Sequence, residues 1–152
     1  SLLKSVFDNF DVIPVPEITL EANPDDLTIE KLNELKSAGI NRLSIGIQSF
    51  NNELLTAMNR SHSAQQAIEC VKNAQRIGIT NISIDLMYGL PKLTSEGWKN
   101  QIQQAIELNV PHISAYCLTV EPKTALEHFV KTGKSQAVDE QHAVQVINLM
   151  LN

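Results

Sequence analysis

The sequence predicts an α/β fold, a piece of a parallel βα barrel whose strand ends form a polar small-molecule site. Three observations predict it. A helix–stop–loop–strand unit recurs along the chain. Strands alternate with helices throughout. Every predicted strand keeps one apolar face and one small, polar face. Alternating strands and helices form a parallel sheet with right-handed crossovers.

The recurring unit is plain in three segments: Gly39-Ile40-Asn41-Arg42-Leu43-Ser44-Ile45, Gly78-Ile79-Thr80-Asn81-Ile82-Ser83-Ile84 and Asn109-Val110-Pro111-His112-Ile113-Ser114-Ala115. Each opens on Gly or Asn, which tolerate the left-handed conformation that closes a helix. An apolar residue, two turn residues and an alternating strand follow.

The other elements fall into order around this unit. Leu2, Leu3, Val6, Phe7 and Phe10 have helical spacing at the start. A strand over 18–22 comes next. Thr28 is placed to cap a helix that ends near Ala38, with Leu27 and Leu32 as a hydrophobic staple. Ser63 with Gln66 three residues on forms a capping box, followed by a stripe of Ala64, Ala67, Ile68, Val71 and Ala74. Thr94 caps the next helix, with Leu93 set against Trp98. The predicted order is one helix, then β, α, β, α, β, α, β, then helices. The helical pattern at Leu149-Met150-Leu151, with no initiator methionine, adds the expectation that residues 1–152 are the central part of a larger domain.

Parity assigns the faces, since a strand points alternate residues to opposite sides. Leu43, Ile45 and Ile47 oppose Ser44, Gly46 and Gln48. Ile82, Ile84 and Leu86 oppose Ser83, Asp85 and Met87. Ile18, Leu20 and Ala22 oppose Thr19, Glu21 and Asn23, while Ile113, Ala115 and Cys117 oppose Ser114 and Tyr116. A doubly wound sheet would be apolar on both faces, and a filled barrel interior would carry Val, Ile and Leu. Small polar residues on the inner face describe an interior kept open for a ligand. Glu21, Gln48 and Asp85 lie near the C-terminal strand ends, where parallel barrels place their sites.

Bulk composition narrows the function. The net charge is −5, from 12 basic and 17 acidic residues, which argues against nucleic acid as a partner. No apolar run reaches the roughly 20 residues of a membrane span. Two cysteines, Cys70 and Cys117, form no CxxC pair and make neither a disulfide framework nor a thiolate metal site; reduced thiols fit a cytoplasmic setting. Both read as packing residues. The four histidines, His62, His112, His128 and His142, show no metal-ligand spacing and read as surface or capping residues. Arg60 reads as a solvated side chain or as a fork donor for a ligand carboxylate. A lone strand carboxylate is as often a turn residue as a ligand group. Three inward polar residues on three consecutive strands suit hydroxyls and an ammonium group.

Several segments occur together in a family order: Glu21-Ala22-Asn23-Pro24, Arg42 through Phe50, Asn59-Arg60, and Ile84 through Pro91. Across roughly residues 2 to 133 the sequence resembles the radical S-adenosylmethionine proteins of the oxygen-independent coproporphyrinogen III oxidase type. The segment 112–124 is closest to the HemW haem chaperone branch, with Lys123 where that family usually has glycine. The resemblance implies a partial, laterally open (β/α)6 barrel, four of whose strands are present. It implies S-adenosylmethionine and a [4Fe-4S] cluster as cofactors, held in part by a CxxxCxxC loop that would precede Ser1. The matching cofactor-binding positions are Glu21, Gln48, Arg60, Asp85 and, through its backbone, Thr119.

In such proteins one electron from the cluster cleaves the sulfonium to a 5′-deoxyadenosyl radical. The resemblance leaves two functions: a haem chaperone serving haem-accepting proteins, or an oxidase that decarboxylates porphyrinogen propionates. An unrelated βα enzyme is a third reading. A chain without the cluster loop is expected to hold no cluster, to cleave no cofactor, and to self-associate through uncovered apolar surface.

Overall fold

The computed structural model describes residues 2–133. Four strands form one parallel sheet in chain order, β1 (Thr19–Ala22), β2 (Arg42–Gln48), β3 (Asn81–Tyr88) and β4 (His112–Cys117). The first helix, α1 (Leu2–Asn9), precedes the sheet. Helix α2 (Ile29–Ser37) joins β1 to β2. Two helices, α3 (Asn52–Ala57) and α4 (Ala64–Ile77), join β2 to β3. Helix α5 (Ser95–Glu107) joins β3 to β4, and α6 (Ala125–Lys131) follows. The predicted order therefore holds with two additions: α3, and a single 3-10 turn at Pro24–Asp26. The C-terminal helical pattern at Leu149 and His142 lie outside the described residues.

Hydrophobic burial orients the sheet. Leu43, Ile45 and Ile47 of β2 and Ile82, Ile84 and Leu86 of β3 have no exposed surface. They pack with Leu32 of α2, Val71 and Ala74 of α4, and Trp98 and Ala105 of α5 in one core. Each such side chain contributes about 1.5–3 kcal/mol when fully buried. Ser44, Gly46, Gln48, Asp85 and Met87, on the other parity, are only half-buried. Ser83 departs from that pattern, being buried beside Ser114, whose hydroxyl lies 3.4 Å from its own. The outer strands β1 and β4 are less covered, as befits edges.

The helix stops form as their sequence requires. Gly39 (φ 99°), Gly78 (φ 90°) and Asn109 (φ 51°) are all left-handed. After α2 the Gly39 N–H donates to Lys36 O and the Ile40 N–H to Leu35 O, the paired bonds that satisfy the last carbonyls of a helix. Thr28, Ser63, Thr94 and Thr124 each accept from a backbone N–H in the first turn of the helix they cap. Lys123, at the usual glycine position, is itself left-handed (φ 66°), a conformation a side chain adopts only at a cost. Its N–H donates to Glu127 Oε2 at 2.8 Å.

Among the described residues no helix is long and apolar enough to cross a membrane. Helix α1 carries exposed Leu2, Val6 and Phe7, and Phe10, Ile13 and Val15 beyond it are exposed as well.

Both halves of the Ser63 capping box are made: the Ser63 hydroxyl accepts from Gln66 N and the Gln66 amide oxygen from Ser63 N. Ser63→Ala is therefore expected to lower unfolding stability by about 1 kcal/mol. Urea denaturation measures it, and an unchanged midpoint would show that the box does not hold α4.

Candidate functional site

The open face is organised by the end of β2. In the pairing of β2 with β3, Ile45 lies opposite Ile84 and Gln48 opposite Leu86. Three steps on β2 thus face two on β3, so β2 carries one extra residue, a β-bulge. At that point the Ser49 N–H donates to Ile47 O at 2.8 Å, and Gln48 between them has φ 67°. This is a three-residue γ-turn with positive φ, a rare and strained conformation. Such strain costs on the order of 1–3 kcal/mol and persists only where neighbours enforce it.

The turn sends the Gln48 side chain back across Gly46. A methyl group on Gly46 would lie 2.9 Å from Gln48 Nε2, 3.4 Å from Arg60 Nη2 and 3.6 Å from Asn23 Oδ1. Glycine leaves a shallow floor there, ringed by two amides and a guanidinium. Arg60 Nη1 donates to Asn23 Oδ1 at 3.2 Å, which ties the loop after α3 to the end of β1.

Helix α3 delivers Arg60 to that ring. Asn51 caps it, its Oδ1 accepting from Glu53 N and Leu54 N. Asn59 ends it in the left-handed region (φ 55°). The Asn59 N–H donates to Thr56 O and the Arg60 N–H to Leu55 O, the same paired closure seen after α2. The Asn59-Arg60 dipeptide is thus a helix stop followed by the residue that the stop turns back over the sheet.

His62 corrects the sequence reading, which gave it a surface or capping role. It is 4% exposed. Its Nε2 lies 3.0 Å from Ile47 O, and its Nδ1 lies 3.8 Å from Asp25 Oδ1. The acceptor it uses is made by a turn in a different element, which local sequence does not display. Asn23 and Gly46 were also absent from the sequence-derived site. Their inward parity was the available signal.

The carboxylates occupy the same open face. Glu21 is exposed on β1, in register with Ser44 of β2. Asp85 is half-buried on β3, in register with Ser114 of β4. Burial pushes the Asp85 carboxyl above the usual range, and the charge of Glu21 pushes it the same way; a hydrogen bond with Ser114, with His112 and Arg42 nearby, opposes them.

A cavity of about 1070 Å³ opens at the C-terminal strand ends. Gln48, Arg60, Met87 and Leu118 line it, with Leu54 of α3, Met58 just after that helix, and Leu90 and Lys92. The five sequence-derived residues therefore divide. Gln48 and Arg60 stand in the cavity wall. Glu21 and Asp85 share the open face but do not line the cavity. Thr119 is exposed one residue past Leu118, and its hydroxyl donates to Glu121 Oε1 at 3.2 Å. Leu118 N donates to Tyr88 O, which extends the β3–β4 ladder to that point.

The thiols stand apart. Cys70 is buried in α4, and burial pushes its pKa up to about 12, so it behaves as a packing residue. Cys117 is half-buried on β4. Among the described residues no group of three or more His, Cys, Asp or Glu could hold a metal ion.

A parallel βα sheet with helices on one face and polar side chains at its strand ends is part of an open βα barrel. Comparison with known proteins names the class more closely. Residues 3–105 match the radical SAM superfamily, and the chain belongs to it. It is 38% identical to the haem chaperone HemW of Bacillus subtilis over 136 residues, which is 90% of this chain and 36% of that protein. It is 46% identical to HemW of Haemophilus influenzae over 123 residues, 81% of this chain and 32% of that protein. Among solved structures, the coproporphyrinogen III oxidase HemN of Escherichia coli, a radical SAM enzyme, superposes with a TM-score of 0.83. It is 29% identical, and the match covers 99% of this chain and 34% of that one. The chain thus spans about a third of the length of these relatives. Superfamily membership implies S-adenosylmethionine and a [4Fe-4S] cluster as cofactors.

The raised Asp85 pKa sets a pH dependence. A carboxyl whose pKa is higher folded than unfolded contributes stability at acid pH, and that contribution is lost as pH rises through the folded value. Asp85→Asn removes the ionisation. The variant is expected to be more stable than the parent at neutral pH, with the difference shrinking as pH falls through the raised folded value and closed below about 4, the unperturbed range. Thermal unfolding across pH measures it. A gap that widens toward acid would reverse the sign of the shift.

Proposed function

We propose that this chain is the central part of the radical-SAM core of a HemW-type haem chaperone, and that its open face binds S-adenosylmethionine. The observation that carries the reading is the ring of Asn23, Gln48 and Arg60 around Gly46, at the wall of the strand-end cavity. The donor set fits the cofactor. A guanidinium fork suits the methionine carboxylate. The Glu21 carboxylate accepts from the ammonium, and Gln48 and Asp85 offer acceptors to ribose hydroxyls. The Thr119 backbone, one residue past the last ladder bond at Leu118, is assigned to the nucleoside. The missing side chain at Gly46 gives the Gln48 amide and the Arg60 guanidinium room to lie across the strand.

When bound beside a reduced cluster, this cofactor supplies radical chemistry through cleavage of its sulfonium. The residues of this chain would hold it: Arg60 and Glu21 orient the amino-acid end, Gln48 and Asp85 the ribose, and the packed strands behind them exclude water. The cluster ligands are assigned to another part of the protein. Haem or a porphyrin is the proposed cargo, haem-accepting proteins are its recipients, and the free cysteines fit a cytoplasmic location.

HemN-like decarboxylation is the second reading, favoured by the superposition on that enzyme. The higher identity to the HemW chaperones supports the first. Full-length protein assayed anaerobically with S-adenosylmethionine, a reductant, an electron acceptor and coproporphyrinogen III, and separately titrated with haem, separates them: vinyl product supports the oxidase, and haem binding without turnover supports the chaperone.

In the full-length protein, Arg60→Ala is expected to weaken S-adenosylmethionine binding by about 1.5–3 kcal/mol, the scale of a charged hydrogen bond. Titration calorimetry reads this directly. Unchanged affinity would remove Arg60 from the carboxylate role.

A further inference from the structure

We propose that His62 is a positioning residue: it holds the Ile47 carbonyl so that the strained turn presents the Gln48 amide to the ligand. The proposal rests on the reading of the open face as a cofactor cradle.

The geometry is specific to this one carbonyl. Ile47 O accepts from Ser49 N at 2.8 Å and meets His62 Nε2 at 3.0 Å. Both of its lone pairs are thereby used. Rotating Gln48 out of its φ of 67° would swing that carbonyl away and leave a buried imidazole N–H without a partner, at a cost of roughly 1–3 kcal/mol. That is comparable to the strain the turn stores. The histidine therefore opposes relaxation of the turn, and only the strained turn lays Gln48 Nε2 over Gly46.

His62 is also well placed to couple the rest of the cradle. It lies two residues after Arg60, in the loop that follows the α3 stop. Its other nitrogen faces Asp25, two residues after Asn23. The Asn51 and Ser49 contacts beside it fix the start of α3: Asn51 N donates to Ser49 Oγ at 3.1 Å. One buried ring thus touches the end of β2 and the turn after β1, and belongs to the segment that carries Arg60.

The test uses the full-length protein and S-adenosylhomocysteine, which has the same amino-acid and ribose groups and undergoes no reductive cleavage. Affinity is read by calorimetry, with urea unfolding as the check on the fold. Gln48→Ala is expected to weaken binding about tenfold, and His62→Leu by a similar factor. The double variant should bind no more weakly than the weaker single variant, because His62 acts through Gln48. His62→Gln, whose Nε2 reaches the place of the imidazole Nε2, should restore most of the affinity. His62→Asn, which imitates only Nδ1, should not.

Full additivity in the double variant would make His62 a merely structural residue and overturn the proposal. Wild-type affinity in His62→Leu with weakened Gln48→Ala overturns it while leaving the cradle reading intact. Wild-type affinity in Gln48→Ala overturns both. Should His62→Leu fail to fold, the Gln and Asn variants decide: equal affinity in those two overturns the proposal.

Discussion

The whole arrangement depends on one constraint: among the described residues, helices α2, α4 and α5 cover one face of the sheet. The alternate residues of β2 and β3 that meet α2, α4 and α5 have no solvent exposure. A shift of one residue in either strand would turn that apolar set outward. Burial therefore pins the register, and register decides which side chains are left on the other face. Glu21, Gln48 and Asp85 share the open face because their neighbours in sequence are needed in the core. The polar face is the remainder of a hydrophobic pattern, and its chemistry is confined to what parity leaves free.

The extra residue of β2 changes what that face can do. A regular strand would stand Gln48 upright from the sheet. The bulge and γ-turn fold it back over Gly46 instead, beside Arg60 and Asn23. Strain at this position is held by hydrogen bonds to a single carbonyl, from Ser49 N and the buried His62. Two backbone devices of opposite character thus meet at the site. The left-handed Asn59 closes a helix in an unstrained way, while the left-handed Gln48 is forced by its surroundings.

How much of this was legible in the sequence follows from how local each feature is. The left-handed stops at Gly39, Gly78 and Asn109 and the caps at Thr28, Ser63 and Thr94 depend on residues within one turn, and all stand where the sequence put them. The strand faces depend on period-two alternation and were equally legible. Helix α3 was not, because six residues are too few to show a 3.6-residue stripe. His62 was not, because a buried histidine is recognised by its acceptor, and that acceptor is a bulge carbonyl of another element. Asn23 and Gly46 were visible in parity, yet nothing local distinguishes a cradle floor from an ordinary strand glycine. Lys123 shows the reverse case. A lysine stands where the family usually has glycine, and its backbone is left-handed (φ 66°).

The charge layout of the open face gives the last step. The guanidinium of Arg60 lies at the cavity wall, and the carboxylates of Glu21 and Asp85 lie elsewhere on the face. A ligand that bridges them must carry negative charge at one end and hydrogen-bond donors or positive charge at the other. A phosphate alone would meet the carboxylates unfavourably, and a simple cation would meet the arginine. A zwitterion joined to a sugar offers a carboxylate to Arg60, an ammonium to one carboxylate and hydroxyl donors to the other, which matters more as the surface becomes desolvated on binding. The raised pKa of Asp85 belongs to the same logic. Burial is its main cause, and the charge of Glu21 on the same face adds to it. A hydrogen-bond donor brought to Asp85 by a ligand would favour its charged form and oppose the effect of burial.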